Sequence, residues 1–209
     1  PNHPVTSVNW VDAMVWCNAL TEYFNAKNGT AADLDCVYTC NGAVIRSSKN
    51  DAVCITAIQN TSAKGFRLLT TVEWEFAARY IGPTDPADPP DPADPNRNYL
   101  FKDGYYYQIN GSSGVIAWHG DFYTVTGVTS TAEVKSKLPN SLGIYDMSGN
   151  VAEWCFDPES TTSNPKARVL RGGGFRFTTD DTHEVGYEFA DYSYVVDSSY
   201  GFRLAKNPD

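Results

Sequence analysis

The sequence contains no run of about 18 apolar residues, so no segment predicts a membrane-spanning helix. It is also short of basic residues, with 16 Lys and Arg against 25 Asp and Glu among 209 residues. Because basic side chains provide most of the affinity for nucleic acid, the net charge of −9 argues against a nucleic-acid partner. Aromatic residues are plentiful, with 5 Trp, 13 Tyr and 10 Phe, and they need packing partners. The composition predicts an acidic globular protein.

The sequence also lacks the common catalytic signatures. It has no G-x-S-x-G elbow, no glycine-rich phosphate loop, no dinucleotide fingerprint and no H-E-x-x-H motif. Its three histidines, His3, His119 and His183, are far apart in the sequence. Glu73 and Glu75 lie close together on a predicted helix but face in different directions, so they make poor acid–base partners. A catalytic site built from scattered residues is left as the alternative.

The cysteine count is odd, so at least one of the five thiols has no disulfide partner. Cys36, Cys40 and Cys54 cluster in a polar stretch, whereas Cys17 and Cys155 have apolar neighbours. No histidine lies close to the cluster, which argues against zinc. We expect buried thiols, with or without one disulfide, and the pairing stays open.

Two helices are predicted from capping residues and apolar spacing. The first begins near Asn9, where Asn9 and Asp12 have the spacing of a helix start. Its apolar positions recur at helical intervals and are Trp10, Ala13, Met14, Cys17, Leu20 and Phe24. The second helix runs from Thr70 to about Tyr80, because Thr70 and Glu73 have the spacing of a capping box.

Elsewhere Gly, Asn, Ser and Thr interrupt short apolar runs, which predicts short strands and irregular loops. The predicted fold class is therefore α+β with a high loop content. Residues 82–98 include the stretch GPTDPADPPDPADP, whose prolines keep it out of a sheet. We interpret it as a surface insertion within one domain that covers residues 1–209. A linker between two domains is the alternative.

Four segments form a specific set in their order and spacing. They are PVTSVNWVDAMVWCNAL at 4–20, GFRLLTTVEWEFAAR at 65–79, NSLGIYDMSGNVAEW at 140–154, and RVLRGGGF at 168–175 with GFRLA at 201–205. In this arrangement the chain resembles the formylglycine-generating-enzyme family. The resemblance implies a C-type-lectin-like fold with two helices and short antiparallel strands. Leu69, Thr71 and Ala152 depart from the usual Pro, Glu and Trp, and the family's first strands would lie before Pro1.

The resemblance does not reach the residues that would carry the family's oxidase chemistry. In that branch two cysteines lie between the glycine motif and the closing G-F-R, whereas Phe175–Tyr200 here contains none. Because Cu(I) needs thiolate ligands, we expect no formylglycine generation and no required cofactor. The alternative from the enzyme class is a copper-dependent oxidoreductase whose site has moved to Cys36, Cys40 and Cys54.

The interval from Phe175 to Tyr200 has an unusual composition. Seven of its 26 residues are aromatic, six are Ser or Thr, six are acidic and one is basic, while Lys, Gln, Met and Trp are absent. Tyrosine with small hydroxyl residues is typical of binding surfaces, because tyrosine supplies a large contact area at low entropic cost. We expect Phe175, Tyr187 and Phe202 to be core residues and most of the other aromatic residues to lie on the surface.

This combination is similar to the variable proteins of diversity-generating retroelements, and most of all to their treponemal members. The resemblance implies a non-catalytic lectin-type scaffold that displays a diversified C-terminal region, about 168–205 here. It also implies a bacterial surface or extracellular location through a lipid anchor upstream of Pro1, and a monomer that binds an unknown protein or surface ligand. The residues it assigns to ligand binding are Arg176, Phe177, Thr178, Thr179, Asp180, Asp181, Thr182, Glu188, Phe189, Asp191, Tyr192, Tyr194, Val195, Asp197, Ser198 and Ser199. A domain with one fixed partner and no diversification is a further alternative.

Members of the resembling family also bind calcium in the loop that matches residues 146–153. The resemblance therefore implies a possible structural calcium ion held by the carboxylates of Asp146 and Glu153 and the backbone oxygens of Gly149 and Val151. Hard oxygen ligands in a turn suit calcium. In the alternative interpretation, both carboxylates accept hydrogen bonds from the loop instead.

Overall fold

The computed structural model describes residues 2–29, 34–49, 54, 56–80, 130–136, 139–140, 142–160, 165–177, 180–183 and 185–207. The predicted insertion at 82–98 and His119 lie outside these residues. Within them, no helix is long and apolar enough to cross a membrane. The described elements are two α-helices, one 3-10 helix and nine short strands, so the predicted α+β class is confirmed.

Helix α1 spans Trp10–Asn28 and begins where the sequence predicts. The Asn9 side chain accepts a hydrogen bond from the Asp12 N–H at 2.9 Å, and the Asp12 carboxylate accepts one from the Asn9 N–H at 3.1 Å. These reciprocal bonds satisfy two of the backbone donors that a helix leaves unpaired at its start. The helix ends at Gly29, whose φ of 68° suits a residue without a Cβ.

Helix α2 spans Thr71–Arg79 and is also capped as predicted, by Thr70 and Glu73. The Glu73 carboxylate additionally accepts two hydrogen bonds from Arg67, at 2.7 and 2.8 Å. The Thr71 N–H donates to the Asp157 carboxylate at 2.7 Å, which ties the start of the helix to the sheet below it. The position of α2 is therefore fixed by polar contacts at its first turn.

The nine strands form three sheets. In chain order they are β1 (Tyr38–Cys40), β2 (Ala43–Val44), β3 (Ile58–Gln59), β4 (Phe66–Leu68), β5 (Ala152–Pro158), β6 (Ala167–Arg171), β7 (Glu188–Tyr192), β8 (Tyr200–Phe202) and β9 (Leu204–Lys206). The sheet orders are β2-β1-β3, β4-β9 and β7-β6-β5-β8. Every pair is antiparallel except β5 with β8, which is parallel, so the prediction of antiparallel strands needs that one correction.

Alternate residues of β5 and β6 face two apolar clusters, one on each side of the four-stranded sheet. Trp154 and Leu170 belong to the cluster that contains the buried face of α1. Cys155 and Val169 belong to the cluster that contains Trp74 of α2. This alternation is the period of a strand that is buried on both faces. The central strands thus hold the two helices on opposite sides.

An ion pair between the buried Glu153 carboxylate and the half-buried Arg203 guanidinium lies beside this core. Glu153 on β5 is 5% exposed, and its carboxylate accepts hydrogen bonds from Arg203 at 2.7 and 2.9 Å and from the Trp74 indole at 2.7 Å. Arg203 also donates to the backbone oxygens of Tyr145 and Asp146. Burial alone would lower the pKa of Arg203, but the adjacent Glu153 carboxylate raises it above its ordinary value.

We expect Glu153→Gln to lower the free energy of unfolding by about 2–4 kcal/mol, because it leaves the half-buried Arg203 guanidinium without its counter-charge. Urea denaturation would measure the loss. Glu133→Gln is the matched control, since Glu133 is exposed and should be almost neutral. A loss below about 1 kcal/mol for Glu153→Gln would contradict a central role for this pair.

Candidate functional site

The C-terminal segment is held to the scaffold at its first residues by close backbone contacts. A Cβ on Gly173 would lie 2.6 Å from the Thr182 carbonyl oxygen, and one on Gly174 would lie 2.9 Å from the Ser199 carbonyl oxygen. Glycine is therefore required for this close approach, as the R-G-G-G-F motif predicts. The 3-10 helix Asp180–His183 follows, and its fully buried His183 donates from Nε2 to the Gly174 carbonyl at 3.2 Å.

Three apolar side chains project into solvent just beyond that anchored region. Tyr192 at the end of β7 is 43% exposed, Tyr194 is 50% exposed and Val196 is 54% exposed. The rings of Tyr192 and Tyr194 stack with centroids 5.3 Å apart and planes only 6° apart. Both tyrosines therefore lie on the surface, as the sequence predicts. Val196 is not in the predicted set, and because it lies beyond the end of β7 at Tyr192, strand alternation does not assign its face.

Other residues of the predicted contact set are half-buried or buried against the core, so less of each side chain is accessible than the sequence suggests. Phe177 and Phe189 pack edge to face at 5.2 Å and lie against the α1 cluster, as does the half-buried Val195. Phe189 turns inward because alternate residues of β7 face opposite sides, and β7 pairs with the buried strand β6. Ser199 is only 2% exposed, and its hydroxyl donates to the Asp197 carboxylate at 2.7 Å.

The expected core residues also divide. Phe175 is buried, as predicted, with 6% of its surface exposed. Tyr187 and Phe202 are half-buried, and Phe202 packs against the exposed Trp16 ring at 6.5 Å. Of the three expected core residues, only Phe175 is buried, and Tyr187 and Phe202 lie at the margin of the core.

The charged members of the predicted set remain near the surface. Glu188 and Arg176 are exposed, while Asp191 and Asp197 are half-buried. Arg176 reaches the Asp197 carboxylate at 3.4 Å. Burial alone would raise the pKa of Asp197, but hydrogen bonds from Ser199 and the charge of Arg176 lower it below its ordinary value. Asp197 is thus fixed as a carboxylate at neutral pH.

The remaining predicted positions are incompletely described. Ser198 is exposed, and Thr182 is half-buried with its hydroxyl 3.1 Å from the His183 ring. Thr178 and Thr179 lie outside the described residues. For Asp180 and Asp181, only the backbone of the 3-10 helix is described. The exposed members of the predicted set are therefore Arg176, Glu188, Tyr192, Tyr194 and Ser198, and the structure adds Val196 to them.

Comparison with known proteins identifies the family to which this fold belongs. The model of the sulfatase-modifying factor enzyme 1-like domain matches residues 1–208. The chain belongs to this family. The resemblance that the sequence motifs indicate is therefore confirmed, together with its lectin-type fold.

Individual relatives differ in what their names describe. The chain is 31% identical to the solved Treponema denticola variable protein 1, with a TM-score of 0.74 over 99% of this chain and 72% of that one. It is 33% identical over 215 residues to the formylglycine-generating enzyme of Streptomyces coelicolor, covering 93% of this chain and 61% of the relative. It is 29% identical over 196 residues to the chaperone protein LppX of Paenibacillus barcinonensis, covering 88% of this chain and 62% of the relative. The chain thus spans about three fifths of these curated relatives.

The thiols in the described part of the chain are not grouped as the relocated copper site would require. Cys36, Cys40 and Cys54 lie in or beside the three-stranded sheet, away from β7, and Cys17 and Cys155 are in the two apolar clusters. Burial raises the pKa of Cys36, which disfavours the thiolate that copper would need. Among the residues that the structure describes, no three His, Cys, Asp or Glu side chains are grouped to hold a metal ion.

The loop that the family resemblance assigns to calcium has a different set of partners here. The Glu153 carboxylate already accepts hydrogen bonds from Arg203 and Trp74, and the Asp146 carboxylate accepts one from the Lys135 N–H at 2.9 Å. A guanidinium in contact with Glu153 repels a second cation, so this carboxylate as placed does not fit a calcium ligand. The geometry favours the alternative for Glu153, whose carboxylate the protein itself satisfies. For Asp146, whose Oδ1 lies buried while Oδ2 accepts the bond from Lys135, the calcium assignment stays a prediction.

A cavity of about 530 Å³ lies at the other edge of the four-stranded sheet. Its walls are mainly apolar and include Val5, Trp16, Val134, Tyr145, Phe202 and Leu204. Phe202 belongs to β8, whereas the exposed tyrosines follow β7 at the opposite edge. The cavity is therefore separate from the surface that the sequence predicts.

The double substitution of Tyr192→Ala and Tyr194→Ala should lower the melting temperature by no more than about 4 °C, because surface substitutions cost little. Phe189→Ala is the matched control and should lower it by roughly 6 °C or more, since it opens a gap against Phe177 and Tyr200. Differential scanning calorimetry would measure both. A fall above about 10 °C for the tyrosine pair would assign it to the core.

Because the Arg203 guanidinium already contacts the Glu153 carboxylate, calcium should leave the melting temperature unchanged within about 1 °C. A ligand that bound only the folded state would raise the melting temperature. The measurement compares protein in chelator with protein in millimolar calcium, alongside calorimetric titration. A saturable heat of binding with a rise in melting temperature would restore the predicted calcium site.

Proposed function

We propose that this chain is a non-enzymatic ligand-binding domain that presents its C-terminal segment as a recognition surface. The observation that carries the proposal is the exposure of Tyr192, Tyr194 and Val196 directly after a strand whose inward residues are packed. Exposed apolar side chains that cluster at one edge mark interaction sites.

The tyrosine pair has the physical properties of a binding anchor. Tyrosine loses little side-chain entropy on binding, and its ring contributes a large contact area. The stacking of Tyr192 on Tyr194 further restricts both rings before any partner arrives. Exposed Ser198 and the carboxylate of Asp197 supply polar groups beside them.

Two observations support binding over oxidase chemistry. The interval Phe175–Tyr200 has no cysteine where the enzyme branch has two. The described thiols lie in the core or in the three-stranded sheet, so they cannot replace that pair at the C-terminal surface. The likeness to the Streptomyces enzyme therefore supports a shared fold, whereas the function depends on the residues of the site.

We further propose that the surface is diversified and displayed outside the bacterial cell. The likeness to the Treponema denticola variable protein supports this proposal. In this proposal the chain acts as a monomer without a cofactor. A domain with one fixed partner would share the scaffold but would not tolerate wide change at the exposed positions.

A display library tests the proposal directly. Randomising Tyr192, Tyr194, Val196 and Ser198 should leave about half or more of the variants folded, since surface changes cost little. Selection on an arbitrary protein target, such as lysozyme, should then yield binders. A control library that randomises Phe177, Phe189, Val195 and Ser199 should be mostly unfolded, as judged by resistance to trypsin.

Two results would count against the proposal. If the exposed-position library is as unstable as the control library, these residues are structural. If its members fold but no binder emerges, the surface is not a general recognition platform, and the fixed-partner alternative gains support.

A further inference from the structure

We propose that a protein partner adds an extended segment of its own chain to the four-stranded sheet, along the outer edge of β7. The outer edge is the side of β7 that faces away from β6. The inference rests on the proposed function and specifies how the partner is held beside Tyr192 and Tyr194. Strand β7 stands first in the order β7-β6-β5-β8, so among the described strands only β6 pairs with it.

The direction of the backbone groups on β7 follows from one hydrogen bond just beyond its end. The Ser193 N–H donates to the Lys166 carbonyl at 2.8 Å, which continues the register between β7 and β6. Because backbone groups of a strand face alternate sides, the residues two and four positions before Ser193 also bond toward β6. The backbone groups on the outer edge therefore belong to the intervening residues, which are Glu188, Ala190 and Tyr192.

Strand β6 independently gives the same alternation. The Glu159 N–H donates to the Ala167 carbonyl at 3.2 Å, so the backbone groups of Ala167 face β5. The residue opposite Ala167 on β7 is Tyr192. Tyr192 is therefore not bonded to β6 at this position, and its backbone groups face the outer edge.

Part of this edge is already satisfied and part is open. The Tyr192 N–H donates to the Asp191 carboxylate at 2.7 Å, and the Tyr192 carbonyl accepts from the Val195 N–H at 2.8 Å. Within the described residues, no hydrogen bond reaches the outward N–H and carbonyl groups of Glu188 and Ala190. An extended chain presents donors and acceptors at the same two-residue spacing, so it can bond to both residues at once.

The side chains along this edge also suit an added strand. The sequence of β7, EFADY, contains neither Pro nor Lys, the residues that commonly protect an edge strand from pairing. Glu188, Ala190 and Tyr192 share one face, because side chains alternate along a strand. The small Ala190 side chain lies between two longer ones, so a large side chain of the partner can pack over it and against the exposed Tyr192 ring. The same strand thus offers backbone bonds and an aromatic contact.

A random peptide library panned on the 209-residue chain supplies ligands for the test. The same library is panned on the Tyr192→Ala, Tyr194→Ala double variant and on Tyr23→Ala. Tyr23 is the matched control, because it is 60% exposed on α1 and far from β7 in the sequence. Peptides that bind the wild type and the control but not the double variant are sequenced and synthesised.

Methylation of single backbone nitrogens in these tyrosine-dependent peptides should affect binding with a period of two residues. An N–H that bonds to β7 is lost on methylation, which should weaken binding about tenfold or more. The next N–H along the peptide faces away from β7, so its methylation should change the affinity by less than about threefold. Isothermal titration calorimetry with each methylated peptide measures the pattern.

Ala190→Pro tests the same hydrogen bonds from the side of the protein. It removes the outward N–H of Ala190 but no bond to β6, and proline is tolerated on an edge strand where the N–H faces solvent. We expect it to weaken peptide binding about tenfold or more. Ala190→Ser is the matched control, because it keeps the N–H and a small side chain, and it should bind as the wild type does. Calorimetric melting checks that both variants fold, and if Ala190→Pro does not, the methylated peptides decide alone.

The outcomes separate this inference from the function beneath it. Tyrosine-dependent peptides that show no two-residue period, or that bind a folded Ala190→Pro variant normally, would overturn strand addition while supporting a recognition surface. A complete absence of tyrosine-dependent peptides would overturn the inference and count against the proposed function as well. A wild-type dimer that Ala190→Pro dissociates, as measured by sedimentation velocity, would assign the edge to a second copy of the chain and would also overturn it.

Discussion

The buried Glu153 carboxylate is the interaction on which the arrangement of this molecule depends. It joins β5, the Trp74 indole of α2 and Arg203 beyond β8, three parts of the chain separated by 50 residues or more. Arg203 extends the contact to the backbone of Tyr145 and Asp146. This pair tolerates little displacement, because the Glu153 carboxylate is buried and depends on Arg203 for its counter-charge. The sheet, helix and closing segment are thereby held in one geometry.

That fixed frame explains how the C-terminal segment can be both anchored and exposed. Gly173 and Gly174 allow its first residues to pass against the Thr182 and Ser199 carbonyls, and the closing G-F-R-L residues return it to β5 and β4. Between these anchors, Phe177 and Phe189 point inward, and Tyr192 and Tyr194 point outward. In the proposed function, the inward side chains of this segment contribute stability and the outward side chains contact the partner, so the outward positions could change without loss of the fold.

Features set by neighbouring residues could be predicted from the sequence, whereas features set by contacts between distant residues could not. The caps of both helices follow from residues three positions apart, and Asn9 with Asp12 behaves as its spacing indicates. The inward turn of Phe189 depends on the register of β7 with β6, which a dense alternation of polar and aromatic residues does not fix. The calcium prediction for Glu153 came from the family resemblance, and the sequence could not reveal the Arg203 partner, because it lies 50 positions away. The exposure of Val196 could not be predicted from strand alternation, because it lies beyond the end of β7.

The central claim is that positions on one exposed edge are free to vary while the scaffold is not. The direct test is to sequence the 3′ end of this gene with its flanking DNA in many cells or isolates. We expect changes to concentrate at codons 176–199, with Tyr192, Tyr194 and Val196 among the variable positions. These changes should match adenines in a nearby template repeat, while the glycine motif and G-F-R-L stay constant. Uniform conservation of this segment, with no template repeat or reverse transcriptase nearby, would contradict the account and favour a domain with one fixed partner.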